Sequence, residues 1–535
     1  MKVAYKHLIS FIPCKPSIDE ISERFFQLGH EHEIEDEIFN MELTPNRGDC
    51  LSVHGLVRDL APFYEIDLTS DIYEKELKKL DLGFVNHAPE ACSHISFLKI
   101  DVEGEISSYR GKLKEYLKDL NINKNNFFTD ISNYISYEMG QPTHCYDAKK
   151  IGNFSLEVIE EEKKFHTLLE KEIVLKGKNL VFLQDGKVIN LAGVMGDLNT
   201  SCSTNTKSVI VECAHFNPEE IIGKSVKYDL KSDAAHKFER GTDPLCLEKA
   251  LRRFIKIVSD HANIINVEIY KDNFVDYLPI KIPFDINKIG DILGIFNDKK
   301  AFEEYLLKLG FEILDNKIIV PSYRNDIKNL NDIAEEIARV VGYDNIPATS
   351  FQMPPVKAVT DIKILEQNVK DFLIKNGFFE VINNPFVNTE EDHSIKVDNP
   401  LDSNRQYIRT NLENSLIENL LYNERRQQDS IKLFEISDVY SINSNLKNKK
   451  VLGIICSGRV GKNYLDFAKK INNKYVRNLI KELLPATNIN PTKIDRKSLN
   501  TKLNNEIIYL ELELNSLNDI SADLLSYQKR HSKDY

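Results

Sequence analysis

Pro347, Pro354 and Pro355 cluster at a point that neither a helix interior nor a central strand can cross, because proline lacks the backbone N–H and fixes φ. The chain must therefore fold as more than one body. Pro279 and Pro283, set among polar residues, mark a second break before it. At 535 residues the chain also exceeds what one core ordinarily holds. No apolar run approaches the roughly 20 residues of a membrane span, and residues 1–7 lack the apolar segment of a secretory signal. A cytoplasmic protein with no membrane partner is expected.

Local patterns divide the chain further. Ser17 and Glu20 form a capping box ahead of Ile18, Ile21, Phe25 and Leu28, and Gly29 supplies a stop, so the first helix is placed there. Phe39, Met41 and Leu43 alternate like a half-buried strand. The loop Thr44-Pro45-Asn46-Arg47-Gly48-Asp49 follows, then a helix from about Asp49 with Val53, Leu56, Val57, Leu60, Phe63 and Tyr64 on one stripe. From about 90 to 275 strands and helices alternate irregularly, with a hairpin at Asp185-Gly186 between Val181-Phe182-Leu183 and Val188-Ile189. This order favours an α+β arrangement over a doubly wound sheet. Helices near 286–309, a hairpin through Phe311 to Val320 turned at Asp315-Asn316, and a helix near 331–342 make a compact segment. Beyond the proline linker, Ile362, Leu365, Val369, Phe372 and Leu373 make a helix stopped by Gly377, and strand-like runs follow.

The formal charge of −12 argues against a protein that coats nucleic acid nonspecifically, although an acidic chain can still carry one basic face for RNA. The 8 cysteines are scattered without a Cys-x-x-Cys pair, so they read as reduced core residues rather than zinc ligands or disulfides.

Four segments carry possible chemistry. In Asn133 to Asp147 a helix ends at Gly140 and Gln141-Pro142 turns the chain, placing His144 just past the turn, where it could orient a water or act as a base. A structural histidine is the commoner case. Leu191-Ala192-Gly193-Val194-Met195-Gly196-Asp197 has two glycines that permit a close backbone approach to a ligand, or simply a tight turn. Ser208 to Ala214 is an apolar strand with Glu212 inside it, so Glu212 lies either on an exposed face or against a specific donor such as a ligand hydroxyl. Asn217-Pro218 beyond it is a helix start. Finally, Asp332, Glu335 and Glu336 stand at i, i+3 and i+4 with Asp326 just before, a crowding that suits Mg²⁺ or an acidic first helical turn. No phosphate loop, dinucleotide fingerprint, nucleophile elbow or zinc helix is present.

Thr44 to Leu51, Gly140-Gln141-Pro142-Thr143-His144, Ala192 to Gly196, Lys237-Phe238-Glu239-Arg240-Gly241-Thr242-Asp243-Pro244 and Asp326 to Pro347, in this order, resemble the β subunit of bacterial phenylalanine–tRNA ligases. Asp398 to Leu401, Arg409 to Leu412 and Leu433 to Ile436 extend the resemblance more weakly. It implies an α+β multidomain chain: a small N-terminal α+β domain (1–85), an α+β tRNA-editing domain (86–277), a small winged-helix-like, DNA-binding-like domain (278–350) and a class II synthetase-like antiparallel-sheet domain without catalytic motifs (356–535). The partner implied is a catalytic α subunit that binds ATP, in an α2β2 heterotetramer acting on tRNA-Phe, with no DNA expected. The β subunit would remove tyrosine wrongly attached to tRNA-Phe, since an apolar synthetic pocket discriminates only moderately against an added hydroxyl. By the resemblance, Glu212 accepts the tyrosine hydroxyl, and His144 with Ser132 and Asn133 surrounds the ester and water. Ala192 and Gly193 shape the pocket and offer amides, and Ala234 limits its size. Asp326, Asp332, Glu335 and Glu336 coincide with positions that hold a Mg²⁺ shared with the α subunit.

The sequence departs from that pattern. No OB-type insertion fits between Gly29 and the strand at Phe39, and the stretch after Leu514 is too short for a further anticodon-binding domain. Both absences bear on tRNA recognition. Asp197 stands where Gly is usual and Ser132 where Thr is usual, changes expected to touch the pocket. An assembly subunit with a decayed site, or a free-standing RNA-binding or editing protein, are the alternatives.

Overall fold

The computed structural model describes residues 1–69, 71–295, 298–348, 361–442, 445–461, 465–467, 469–483, 490–499 and 504–514. The expected linker prolines Pro354 and Pro355, the side chain of Ile362 and the segment after Leu514 lie outside them. The chain forms two compact units, Met1–Ser350 and Phe351–Tyr535, and is mixed α/β and multidomain.

The first unit begins with a strand, Lys2–Ala4, and a short helix, Tyr5–Ile9, so the capped helix Ile18–Gln27 is not the first. Neither short element carries a repeating pattern long enough to be read. The capping box itself forms: the Ser17 hydroxyl accepts from the Glu20 N–H, and Glu20 accepts from the Ser17 N–H at 2.7 Å. Ile38–Glu42 pairs with both Lys2–Ala4 and Glu31–Glu35, burying Phe39 and Met41.

Two five-stranded sheets follow. One runs Lys78–Lys79, Asn263–Asn273, Cys92–Glu103, Ser208–Phe216, Thr143–Asp147; the other runs Phe84–Asn86, Phe154–Ile159, Asn179–Gln184, Lys187–Leu191, Met195–Gly196. The Asp185-Gly186 turn connects Gln184 to Lys187, with both turn residues at positive φ (48° and 73°), the conformation such a two-residue hairpin requires. Side chains alternate across a strand, so the first sheet feeds two cores. Leu98, Ile100, Val209, Val211 and Cys213 pack with the helices Phe127–Met139 and Leu247–His261. Phe97, Tyr146, Ile210 and Phe216 face the second sheet and meet Phe154 and Phe182.

The last part of this unit joins the strands Lys281–Pro283, Glu312–Leu314 and Lys317–Ile319 to the helices Ile286–Leu293, Lys299–Lys308 and Leu330–Val341. A buried ion network ties it to the N-terminal part. Arg339 donates to both Asp59 oxygens (2.9 and 3.1 Å) and to Glu336 (2.7 Å); Arg47 holds Asp49 and Asp59, His30 reaches Asp59 at 2.6 Å, and Arg324 holds Asp326 and Glu336. Three motifs converge here: Arg47 and Arg339 share Asp59, and a Cβ on Gly48 would fall 2.6 Å from the Arg240 carbonyl oxygen.

The second unit carries the sheet Phe379–Glu380, Ile431–Ile442, Leu446–Ser457, Ile507–Glu513, Thr492–Ile494, flanked by the helices Asp361–Lys375, Glu413–Glu424 and Asn473–Leu483. The segments Arg409 to Leu412 and Leu433 to Ile436 meet in one buried ion pair, Arg409 Nη2 to Glu435 Oε1 at 2.6 Å, with Asn383 donating to the other Glu435 oxygen at 2.8 Å.

Candidate functional site

Strand register assembles the site. Glu212 in Ser208–Phe216 pairs directly with His144 in Thr143–Asp147. His144 is not in a loop as the turn at Gln141-Pro142 suggested; the chain enters a strand at Thr143 because its amides find the free edge of Ser208–Phe216. His144, Tyr146 and Glu212 share a face by alternation, the face toward the second sheet. From that sheet Asn190 closes the set.

Glu212 is buried, with 4% of its surface exposed. Its Oε2 accepts from the Tyr146 hydroxyl at 2.6 Å and from Asn190 Nδ2 at 3.1 Å, and Asn190 also donates to the Tyr146 oxygen at 2.9 Å. Among the described residues Oε1 accepts nothing, and Glu212 lines the cavity. Burial raises its carboxyl to about 7, against the opposing pull of Tyr146 and Asn190. The His144 ring stands edge-on to Tyr146 at 4.4 Å, its Nε2 is buried without a partner among the described residues, and burial lowers the imidazole to about 4. At neutral pH it is an uncharged acceptor or donor and not an imidazolium.

Gly196 packs its backbone against this ring: a Cβ there would meet His144 Cε1 and come 2.6 Å from Nε2. This, rather than ligand approach, is what the second glycine of Ala192 to Gly196 provides.

A cavity of about 480 Å³ opens over these groups. Ser132, Asn133, His144, Gly193, Glu212 and Ala234 all line it. Ala192 does not: it is 1% exposed, and its N–H donates to the Leu180 carbonyl at 3.1 Å, so it offers no amide to a ligand. Ser132 spends its hydroxyl on the Thr143 carbonyl at 2.6 Å, which fixes helix to strand. Asn133 is exposed, its side chain with no hydrogen-bond partner among the described residues. Asp197 points away from this cavity; it accepts from the Asn199 N–H at 2.9 Å and lines a different hollow, so that departure leaves the pocket untouched. Tyr146 and Asn190 were not singled out in the sequence. Tyr146 could have been, since it sits two residues from His144 on one strand; Asn190 carries no local signal.

Of the four carboxylates expected to hold Mg²⁺, three have partners within the chain. Both Asp326 oxygens are taken by Arg324 at 2.9 Å. Asp332 turns back to cap its own helix, accepting from the N–H groups of Lys328 at 2.7 Å and Asn329 at 2.9 Å. Glu336 is buried between Arg324 and Arg339, leaving Glu335 exposed on another side of the helix. Among the described residues the one group with converging metal-type ligands is His30, Cys50 and Asp59. Arg47 and Arg339 already bond Asp59 there, and burial pushes the Cys50 thiol up, so the environment opposes a cation.

No helix among the described residues is long and apolar enough to cross a membrane. Residues 100–263 match the B3/4 domain, 282–343 the tRNA synthetase B5 domain and 346–508 the phenylalanyl tRNA synthetase beta chain CLM domain. The phenylalanine–tRNA ligase beta subunit of Francisella tularensis is 30% identical over 434 residues, covering 77% of this chain and 54% of that one. That of Protochlamydia amoebophila is 29% identical over 518 residues, covering 91% and 65%. The chain thus spans little more than half the length of the first of these relatives. An N-terminal fragment of the phenylalanyl-tRNA synthetase beta-subunit from Pyrococcus horikoshii aligns at a TM-score of 0.37 and 16% identity over 64% of this chain and 99% of that one, too loosely to carry an argument. With three domain matches in sequence order and relatives aligned along most of its length, the chain belongs to the phenylalanine–tRNA ligase beta-subunit family.

Proposed function

We propose that this chain serves a phenylalanine–tRNA ligase as its beta subunit, partnering an ATP-using alpha subunit in an α2β2 assembly, and that the cavity over Glu212 hydrolyses tyrosine wrongly joined to tRNA-Phe. In this reading the segments 1–85, 86–277, 278–350 and 356–535 act as N-terminal, editing, winged-helix-like and synthetase-like domains, in a cytoplasmic enzyme.

One observation carries the editing role: a buried carboxylate with one oxygen satisfied inside the protein and the other open to a cavity. A tyrosyl phenol donates to Oε1. A phenylalanyl ring leaves that oxygen desolvated and unpaired, a difference of order 1–3 kcal/mol that rejects the correct product. His144, uncharged and with an unpartnered ring nitrogen, holds the water. The water oxygen adds to the ester carbonyl carbon, the bond to the ribose oxygen breaks, one water proton ends on that oxygen and the other is released to solvent. Tyrosine carboxylate and a free 3′-hydroxyl result. An imidazole lowered to about 4 is a weak base, so positioning outweighs proton abstraction.

The test is hydrolysis of tyrosyl-tRNA-Phe and phenylalanyl-tRNA-Phe by the purified complex. Faster loss of the tyrosyl ester supports the reading. Two esters that decay at the uncatalysed rate leave an assembly role only, and a chain that does not co-purify with the alpha subunit refutes the ligase assignment.

A further inference from the structure

A second cleft of about 800 Å³ adjoins the first cavity and shares part of its lining, Ser132, Asn133, Thr143, Lys231, Asp233 and Ala234 among it. Its charge differs from its neighbour's. The first cavity is lined by Glu212 and Asp233 against one cation, Lys231; the second by Lys2, Lys231 and Lys237 against Asp233. Three lysines at one cleft stand out in a chain of net charge −12. Lys2 and Lys231 are exposed, and their ammonium groups have no ion-pair or hydrogen-bond partner among the described residues. Leu51, Leu120 and Ile122 add an apolar surface to the same cleft.

The motif Lys237 to Pro244 supplies the third cation. Lys237 donates to the Ser136 carbonyl, which anchors it to the helix that also carries Ser132 and Asn133. Burial lowers its ammonium to about 7, with Asp233 pulling the other way. An anion arriving in the cleft would favour its charged form.

An acyl group that occupies the Glu212 cavity must leave its alcohol outside. When that alcohol is an RNA 3′-terminal ribose, a phosphodiester follows one nucleotide away, and the first cavity offers it a single lysine beside Asp233 and Glu212. We propose that the second cleft receives this 3′-terminal strand, with Lys2 and Lys231 pairing its phosphates and the apolar surface taking a base. The inference rests on the reading that the ester is an aminoacyl-RNA. It assigns RNA contact to the N-terminal strand and the loop before the helix Asp233–Phe238, inside the described fold.

The experiment uses the full chain and a fluorescein-labelled single-stranded RNA ending in CCA, followed by anisotropy at pH 6, where Lys237 holds its proton. Lys2→Gln with Lys231→Gln is expected to weaken binding about 10-fold at low salt and to make the log K against log salt slope shallower by about 1.4, for two single-strand phosphate contacts. Asp233→Asn is expected to tighten binding, a gain that misfolding cannot produce. Unchanged affinity and slope in the double variant, or weaker binding by Asp233→Asn, overturns the proposal. Tyrosyl-tRNA hydrolysis by the same proteins separates the two readings. Wild type that binds this RNA through the lysines yet leaves the ester intact defeats the editing function alone. Hydrolysis at an unaltered KM in the double variant defeats the cleft alone.

Discussion

Replacing Glu212 by Gln should stabilise the protein at alkaline pH, by an amount set by burial. The carboxyl is raised from its ordinary 4.5 to about 7 because desolvation outweighs the hydrogen bonds from Tyr146 and Asn190. A shift of that size corresponds to about 3 kcal/mol. The folded state holds the proton more tightly than the unfolded chain, so the associated stability is fully present below pH 4.5 and is lost as pH rises through about 7. Glutamine keeps an oxygen for Tyr146 and Asn190 but has no charge to bury. The stability of Glu212→Gln minus that of wild type should therefore rise by about 3 kcal/mol between pH 4 and pH 8. His144 titrates with the opposite sign: its pKa is lowered to about 4, so stability is lost as pH falls from 6.5. That contribution is common to both proteins and cancels to first order in the difference. Urea unfolding across this range reads it directly. A difference that stays flat with pH would show that Glu212 is not a desolvated acid, and the discrimination argument would lose its basis.

Other outcomes follow from the same geometry. Gly196→Ala drives a methyl into the His144 ring and should lower tyrosyl-ester hydrolysis at least 10-fold while circular dichroism stays native, because overpacking of about 1–3 kcal/mol is absorbed by tilting the ring. Tyr146→Phe removes one of the two bonds that hold Glu212 ionised, so the pH at which tyrosyl over phenylalanyl selection appears should move upward in a pH–rate profile. Asp59→Asn weakens the partner of Arg47, Arg339 and His30 in the buried junction, and denaturant unfolding should show a loss of about 3–5 kcal/mol.

Features written in adjacent residues were legible in the sequence. The Ser17/Glu20 capping box, the helix end at Gly140 and the Asp185-Gly186 turn depend on local backbone chemistry, and the structure contains each of them. Glu212 inside an apolar strand left two readings, an exposed face or a specific donor, since burial of an unpaired acid is expensive; the structure buries it. Its donors were not legible. Tyr146 and Asn190 lie 66 and 22 residues away in sequence, and only the pairing of strands brings them to one oxygen. The acidic set around Asp326 was legible as spacing only. Helical spacing placed Asp332, Glu335 and Glu336 together, but it carries no information about which carboxylates face Arg324 and Arg339 across the fold. The Thr44 to Leu51 loop had no evident chemistry until Arg47 was seen holding Asp49 and Asp59.

The account turns on the open oxygen of Glu212 reading a phenol. A crystal structure of the chain with 3′-tyrosylamido-adenosine, an amide that resists hydrolysis, measures this directly. The phenolic oxygen should lie about 2.7 Å from Glu212 Oε1, with the amide carbonyl beside His144. A tyrosyl ring bound elsewhere, or bound in this cavity with its hydroxyl turned away from Glu212, would contradict it.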